Sequence, residues 1–547
     1  MRCIKGNRTC GGYEARSSIV FRPQASQFIS SSGSGTLPVD GQPLLAPTTG
    51  PLPTLARKCT LSKRVPLPGT NYMPPDTPCK EISNELFDEY ACRTFLWDFC
   101  IPPTTPADAR GLFHGLEPML HRIGLHSKVG KACMAVSAEL HRKTLCREYL
   151  GRRAEAKYHE VLCYLAKAVQ NPASADTAET LIIATLLGLY EMMLARETHP
   201  GHYNTHARGV AAILQIGNSP SDLLMAARSG HFNKVLTGKS QPCSIFSFPS
   251  RHPTSEQTLD DLLLVLDDIQ KRSTPQRLAN TSPETLYGLM DEAAALNQAF
   301  ARWQDAQPAD LRGSVSGYTK PPQPQQPLQW LPASPSPSSS SSVDSSSSDF
   351  PRNTSPHHSH ESPPPPIPAA YWPGRVDTYH DHYVASVWNM SRTSRLQLID
   401  LLLRLSRMLG DGNPNSTEHQ HHAADAAQLL TDLLASIPFH LVDDLHVFLN
   451  PDQPTRELAA GAGHRPDEIP NPGRPAGGLL IMHHLDVVSR LCPTLVPADV
   501  RDYLRKCLLW ISTGMGIGQA AIFAKSSESH PQALTSGCMI TWVAMLL

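Results

Sequence analysis

Apolar residues recur at helical spacing through most of the chain from residue 81 onward, and the pattern stops wherever proline and serine accumulate. Ile82, Leu86, Tyr90, Phe95, Trp97 and Phe99 form an apolar stripe beside the acids Glu81, Glu85, Asp88 and Glu89, as one face of a helix requires. Pro102 and Pro103 end it, because proline lacks the amide proton a helix needs. The spacing predicts further helices in part of 116–125, over 131–150 and over 155–169. Between Asp176 and Arg196 the run DTAETLIIATLLGLYEMMLAR is apolar nearly all round, the pattern of a helix buried at the centre of a bundle. Asp176 or Thr177 can cap it, with Glu179 in the first turn, where a negative charge is favoured. The next helix, 204–216, carries His206, Gly209, Ala211, Ala212 and Leu214, and its small residues predict a close helix approach.

Helical periodicity continues over 258–272 and 283–303 and then lapses from Asp305 to Pro373. That interval holds PPQPQQP, SPSPSSSSSVDSSSSD and PPPP, a composition that buries too little apolar surface to offset chain entropy. Periodicity resumes over 379–409, 423–438 and 478–525, and LVDDLHVFL at 441–449 reads as an ordinary amphipathic helix. No alternating strand pattern with hairpin turns recurs. The expected fold is all-α, with helical parts at 81–304 and 374–547 and disordered stretches at 23–80 and 305–373.

Charge adds an asymmetry that the overall net charge of -1 conceals. Residues 1–80 carry ten Lys or Arg against three acids, about +7, so the remainder is mildly acidic. A basic arm of this kind suits contact with phosphate, and it equally suits a solvated tail. The thirteen cysteines are scattered without paired spacing, which argues against a disulfide framework and for a reducing compartment. The first fifteen residues are polar and basic, with no apolar core of a signal peptide. The longest apolar runs fall short of the roughly 20 residues a membrane span needs. An intracellular protein without membrane partners is expected.

Residues 1–22 carry the most specific chemistry. Six residues separate Cys3 from Cys10, Lys5 and Arg8 among them, and Gly11, Gly12 and Tyr13 follow. This resembles the end of the fungal zinc binuclear cluster, in which six cysteines hold two zinc ions. The resemblance implies that Cys3 and Cys10 are the last two zinc ligands, that Lys5 and Arg8 supply DNA phosphate contacts, and that the segment is a C-terminal remnant of the module. A structural zinc site is closed by four ligands, so two thiolates leave it incomplete and its zinc doubtful. Residues 23–78 show no apolar heptads, so no coiled-coil dimer is expected.

The body extends the resemblance. LIIATLLGLYEM followed by HYNTHARGVAAILQIG, then SVWNMSRTSRLQLIDLLLRL, LLASIPFHL and LRKCLLWISTGMGIGQAAIFA, is similar in order to helices of the fungal-specific transcription factor regulatory domain. What this implies is a nuclear transcription regulator acting with RNA polymerase II. Its partners would be DNA and either the transcription machinery or another regulator, and its targets a pathway such as a secondary-metabolite gene cluster or nutrient use.

Other candidate chemistry does not survive inspection. His357, His358 and His360, and His419, His421 and His422, lie in polar segments read as loops, without cysteines or carboxylates at ligand spacing. His483 and His484 are adjacent in an apolar helical segment and read as core or surface histidines. Gly238-Lys239-Ser240 lacks the first glycine of a phosphate loop, since position 233 is Asn233. Gly514, Gly516 and Gly518 follow no buried strand and read as helix-junction glycines. No nucleophile elbow or metalloprotease helix is present, and a catalytic function is not expected. The rival readings are a DNA-free helical interaction protein that modulates another regulator, and an α-helical enzyme that acids converging in a pocket would reveal. Helix bundles readily enclose apolar pockets, but nothing in the pattern locates one.

Overall fold

The computed structural model describes residues 84–101, 111–144, 148–170, 177–196, 202–213, 258–319, 368–410, 417–450, 473–526 and 531–546. Residues 1–22, with Cys3, Lys5, Arg8 and Cys10, lie outside the described residues, as do 23–80, the histidines at 357–360 and Gly238-Lys239-Ser240. Among the described residues there are sixteen α-helices and one two-stranded sheet. The fold is all-α.

The first group of helices is α1 (Asn84–Phe99), α2 (Leu116–Ile123), α3 (Lys128–Thr144), α4 (Glu148–Gln170), α5 (Thr177–Leu194) and α6 (Tyr203–Ile213). Helix α3 packs against α1, α4 and α5, and α5 packs against α6. Of the expected stripe of α1, Phe95 and Phe99 are buried but Tyr90 and Trp97 are half-buried; the inward face is completed instead by Phe87, Ala91 and Cys92. Phe95 packs tilted against Phe99 with ring centroids 5.1 Å apart and meets Phe113 edge-on at 5.7 Å. Helix α5 is the buried rod its composition predicts: Leu181, Ile183, Leu186, Leu187, Leu189, Met192 and Met193 are all fully enclosed.

The expected close approach through small residues of α6 falls elsewhere. Ala212 is exposed and Gly209 half-buried. The tight contact is instead at Gly188 of α5, where a Cβ would stand 2.5 Å from Ile540 Cδ1 and 3.3 Å from His206 Cβ.

The second group begins with α7 (Leu259–Arg272), α8 (Pro275–Leu278) and α9 (Pro283–Asp305). A Thr258–Asp261 capping box opens α7, satisfying amide protons that a helix start leaves unpaired. Next come strands β1 (Ser314–Thr319) and β2 (Gly374–Thr378), then α10 (His382–Leu409), α11 (Thr417–Leu441) and α12 (Leu445–Leu449). Helices α13 (Pro475–Ser489), α14 (Ala498–Gly514), α15 (Gly518–Lys525) and α16 (Pro531–Leu546) complete the order. Helix α10 is the axis of this half. Asp381 caps its start by accepting from the Val384 amide at 2.7 Å, Gly410 ends it in the left-handed region, and α9, α11 and α13 pack around it.

Both edges of the Pro/Ser-rich interval are ordered, which differs from the expectation of disorder across 305–373. Helix α9 runs to Asp305, and β1 pairs antiparallel with β2 from Ser314↔Thr378 to Thr319↔Gly374, with an irregularity between Val315 and Gly317. The two strands are short and distant in sequence, so no hairpin turn announces them. The ribbon is pinned to α11 by the Arg375–Asp432 ion pair.

The last helix joins the two groups. Helix α16 packs against α5 and α6 of the first and α13 of the second. The Phe113 amide donates to the Ala544 carbonyl at 2.7 Å, and Arg474 donates to the Cys100 carbonyl at 2.6 Å. The glycines at 514–518 sit at the α14–α15 junction, as the sequence predicts. Gly516 holds φ +76° there, with Leu140 Cδ1 2.7 Å from where a Cβ would be, a conformation glycine adopts without strain.

Candidate ligand cavity of the helical body

A cavity of about 160 Å³ lies where α7, α10, α13 and α16 meet. Each helix contributes one stripe at i, i+3, i+4, i+7 spacing or close to it. From α7 come Leu263, Leu266, Asp267 and Gln270, and from α13 Leu480, His483, His484 and Val487. From α16 come Cys538, Thr541, Trp542 and Met545. Helix α10 supplies Ser386, Met390, Thr393, Ser394 and Gln397. Residues at this spacing share one helix face and span about 10 Å along the axis.

The walls are apolar with isolated neutral polar groups. His483 and His484 are buried, 6% and 5% exposed. Burial, reinforced by His484, lowers the pKa of His483 to about 3, and burial lowers that of His484 to about 4. Both rings are therefore neutral at physiological pH, each with one donor and one acceptor nitrogen. His484 Nδ1 lies 3.3 Å from Thr393 Oγ1. His483 Nε2 is buried with no hydrogen-bond partner among the described residues. Thr541 Oγ1 donates back to the Gly537 carbonyl at 3.1 Å. The Cys538 thiol is pushed up by burial and then by Asp486, so it stays protonated. Asp267 is the one carboxylate among the lining residues, and Lys271 neutralises it at 2.8 Å. No pair of acids converges there.

A second buried polar cluster lies in the first group of helices. Tyr158 donates to Glu191 at 2.6 Å and stands 3.3 Å from His206 Nε2, while the His202 amide donates to Glu191 at 3.0 Å. Burial, then Glu191, raises the Tyr158 phenol, and burial lowers His206 to about 4. These groups are mutually bonded and tie α4 to α5 and α6.

The sequence candidates divide accordingly. His419, His421 and His422 stand in the first turns of α11, not in a loop; the Asn- and Ser-containing segment before them masks a helix start. Among the described residues no group of three or more His, Cys, Asp or Glu could hold a metal ion. No helix there is long and apolar enough to cross a membrane. His483 and His484 are the core histidines the sequence allowed, and they line the cavity. Ser386, Met390, Thr393 and Gln397 share one face of α10 at i, i+4, i+7, i+11 spacing, but other polar residues around the same helix, among them Asn389, Arg392 and Arg395, hide that face in the sequence pattern.

Among curated proteins the chain is similar to "Transcription factor dbaG" of Emericella nidulans. Identity is 40% over 478 residues, 87% of this chain and the whole length of the relative. No family model and no solved structure matches it.

Proposed function

Since the chain belongs to the family of the fungal transcription factor dbaG, it is a fungal transcription regulator, and we propose that it acts in the nucleus, without catalysis, on the genes of one pathway. The observation that carries this reading is the 40% identity along the full length of that relative. The basic balance of residues 1–80 supports contact between this arm and DNA phosphates. Lys5 and Arg8 are the candidate contacts, and the helical body then serves to engage the transcription machinery or another regulator.

Cys3 and Cys10 are the thiolates that residues 1–22 offer to zinc. Two thiolates fall short of the four ligands of a closed structural site, so this donor set does not fit a zinc cluster by itself. Bound zinc would supply folding free energy, about 10–16 kcal/mol in small modules, and no step here is routed through it. A polypeptide of these 547 residues is expected to bind DNA weakly and without sequence preference. A gel shift at physiological salt, with and without zinc, checks this, and a zinc-dependent, sequence-specific shift would overturn it. Transcript profiling after disruption of the gene tests the wider reading. One coherent set of genes should change, whereas an unchanged transcriptome removes the regulator assignment for a single pathway.

A further inference from the structure

The cavity between α7, α10, α13 and α16 has the size and chemistry of a small-molecule site. Its volume of about 160 Å³ is close to that of engineered apolar cavities of about 150 Å³ that bind benzene. Among the lining residues Gln270 is exposed, whereas Leu480, His483 and His484 are buried. The walls combine Leu, Met and Trp side chains with a few convergent polar groups, the general composition of a ligand pocket.

Charge narrows the ligand. No Lys or Arg lines the cavity, so nothing there receives a carboxylate or a phosphate. Its one acid, Asp267, is already paired with Lys271, so a cation gains little. Thr393, whose hydroxyl makes a 3.3 Å contact to His484 Nδ1, and Ser386, 3.5 Å from the Leu480 carbonyl, offer a hydrogen bond to a hydroxyl or carbonyl. We propose that this cavity takes a neutral, ring-sized ligand bearing a hydroxyl or carbonyl group, and that the ligand fastens α16 to the rest of the body. Helix α16 is one full wall of the cavity through Cys538, Thr541, Trp542 and Met545, and it also joins the two helical groups. An occupant therefore touches the element on which their assembly depends. This effector role rests on the reading of the body as regulatory.

The test uses the full chain with 4-fluorophenol as the neutral probe and 4-fluorobenzoate as its charged counterpart. Ligand-observed fluorine NMR should show broadening of the phenol signal, at least tenfold weaker interaction for the benzoate, and loss of broadening in Val487→Phe, which fills the cavity. Thr393→Val, which keeps the side-chain shape and removes the hydroxyl, should weaken the phenol about fivefold. Amide hydrogen exchange should slow across 537–546 when the phenol is present, a readout independent of whether either variant folds. Absence of phenol broadening, equal binding of the benzoate, or unchanged exchange in α16 overturns the proposal. None of these readouts involves DNA, so their failure leaves the regulator assignment standing.

Discussion

Helix α10 presents polar residues to two buried regions, and the two are built on opposite terms. Toward α11, Asn389 donates to Ser436 at 2.9 Å and accepts from Arg392 at 3.0 Å, while Arg392 donates to Tyr379 at 2.8 Å. The single Ser436 hydroxyl proton has the Leu433 carbonyl at 2.7 Å, with Asn389 Oδ1 a second acceptor at 3.1 Å. Toward α7, α13 and α16, the same helix offers Ser386 and Thr393 to open space, with contacts to the Leu480 carbonyl at 3.5 Å and to His484 at 3.3 Å. Short, mutually bonded polar groups specify one packing arrangement. Long contacts beside a void leave hydrogen-bonding capacity for something else. The network side is thus the fixed scaffold and the cavity side the adaptable one.

Acid should break the whole arrangement, with the largest effect. Burial lowers the pKa of His206, His382 and His484 to about 4 and that of His483 to about 3, and burial together with His382 holds His440 well below the ordinary range. A group whose folded pKa lies below its unfolded value of about 6.5 binds its proton more readily in the unfolded chain. Stability is therefore full above about pH 6.5 and is lost as pH falls toward 4. Each such imidazole contributes up to about 1.4 kcal/mol per pH unit in that window. Burial raises Asp377 and Asp381, so their protonation offsets part of the loss at the acidic end. Urea titrations from pH 8 to pH 4 should show a flat midpoint down to about 6.5 and a steep fall below it. A flat profile to pH 4.5 would mean that these rings carry protons in the folded state.

How much of this was readable beforehand depends on how local each signal is. Helix α5 was legible because its apolar residues surround one continuous segment, and α10 because Asp381 and Gly410 bracket an unbroken run. The β1–β2 ribbon was not, since Tyr318 and its partner Arg375 meet only through tertiary packing. The cavity is less local still. Each of its four walls reads alone as an ordinary amphipathic face, and only the assembled bundle shows that His483 and Thr541, far apart in the chain, line one space. Cys3, Lys5, Arg8 and Cys10 were the clearest sequence signal and lie outside the described residues. Their proposed role rests on the family resemblance that this segment carries.

A steric probe of the network side comes next in size. Gly477 of α13 lies against α11 so closely that a Cβ would stand 2.1 Å from the His440 carbonyl oxygen and 3.0 Å from its carbon. Backbone atoms of a buried helix cannot yield as a side-chain tip can. Gly477→Ala must separate α11 from α13, and it is expected to cost about 3 kcal/mol. Chemical denaturation measures this, and a loss under about 1 kcal/mol would show that the two helices are free to slide.

The smallest expected effect discriminates most sharply between the two regions, because it compares one hydroxyl with another on matched terms. Ser436→Ala removes the group that bridges the Leu433 carbonyl and both ends of the Asn389 amide. Asn389 then keeps Arg392 and a 3.3 Å contact to His440, and the expected loss is about 1–2 kcal/mol. Thr393→Val deletes a hydroxyl whose contact is the 3.3 Å approach to His484, in a wall that borders a void and can readjust. Its expected cost is below about 0.5 kcal/mol, with the larger change appearing in fluorophenol affinity. Equal losses for the two variants would place Thr393 in the scaffold with Ser436 and erase the distinction between a fixed and an adaptable face of α10.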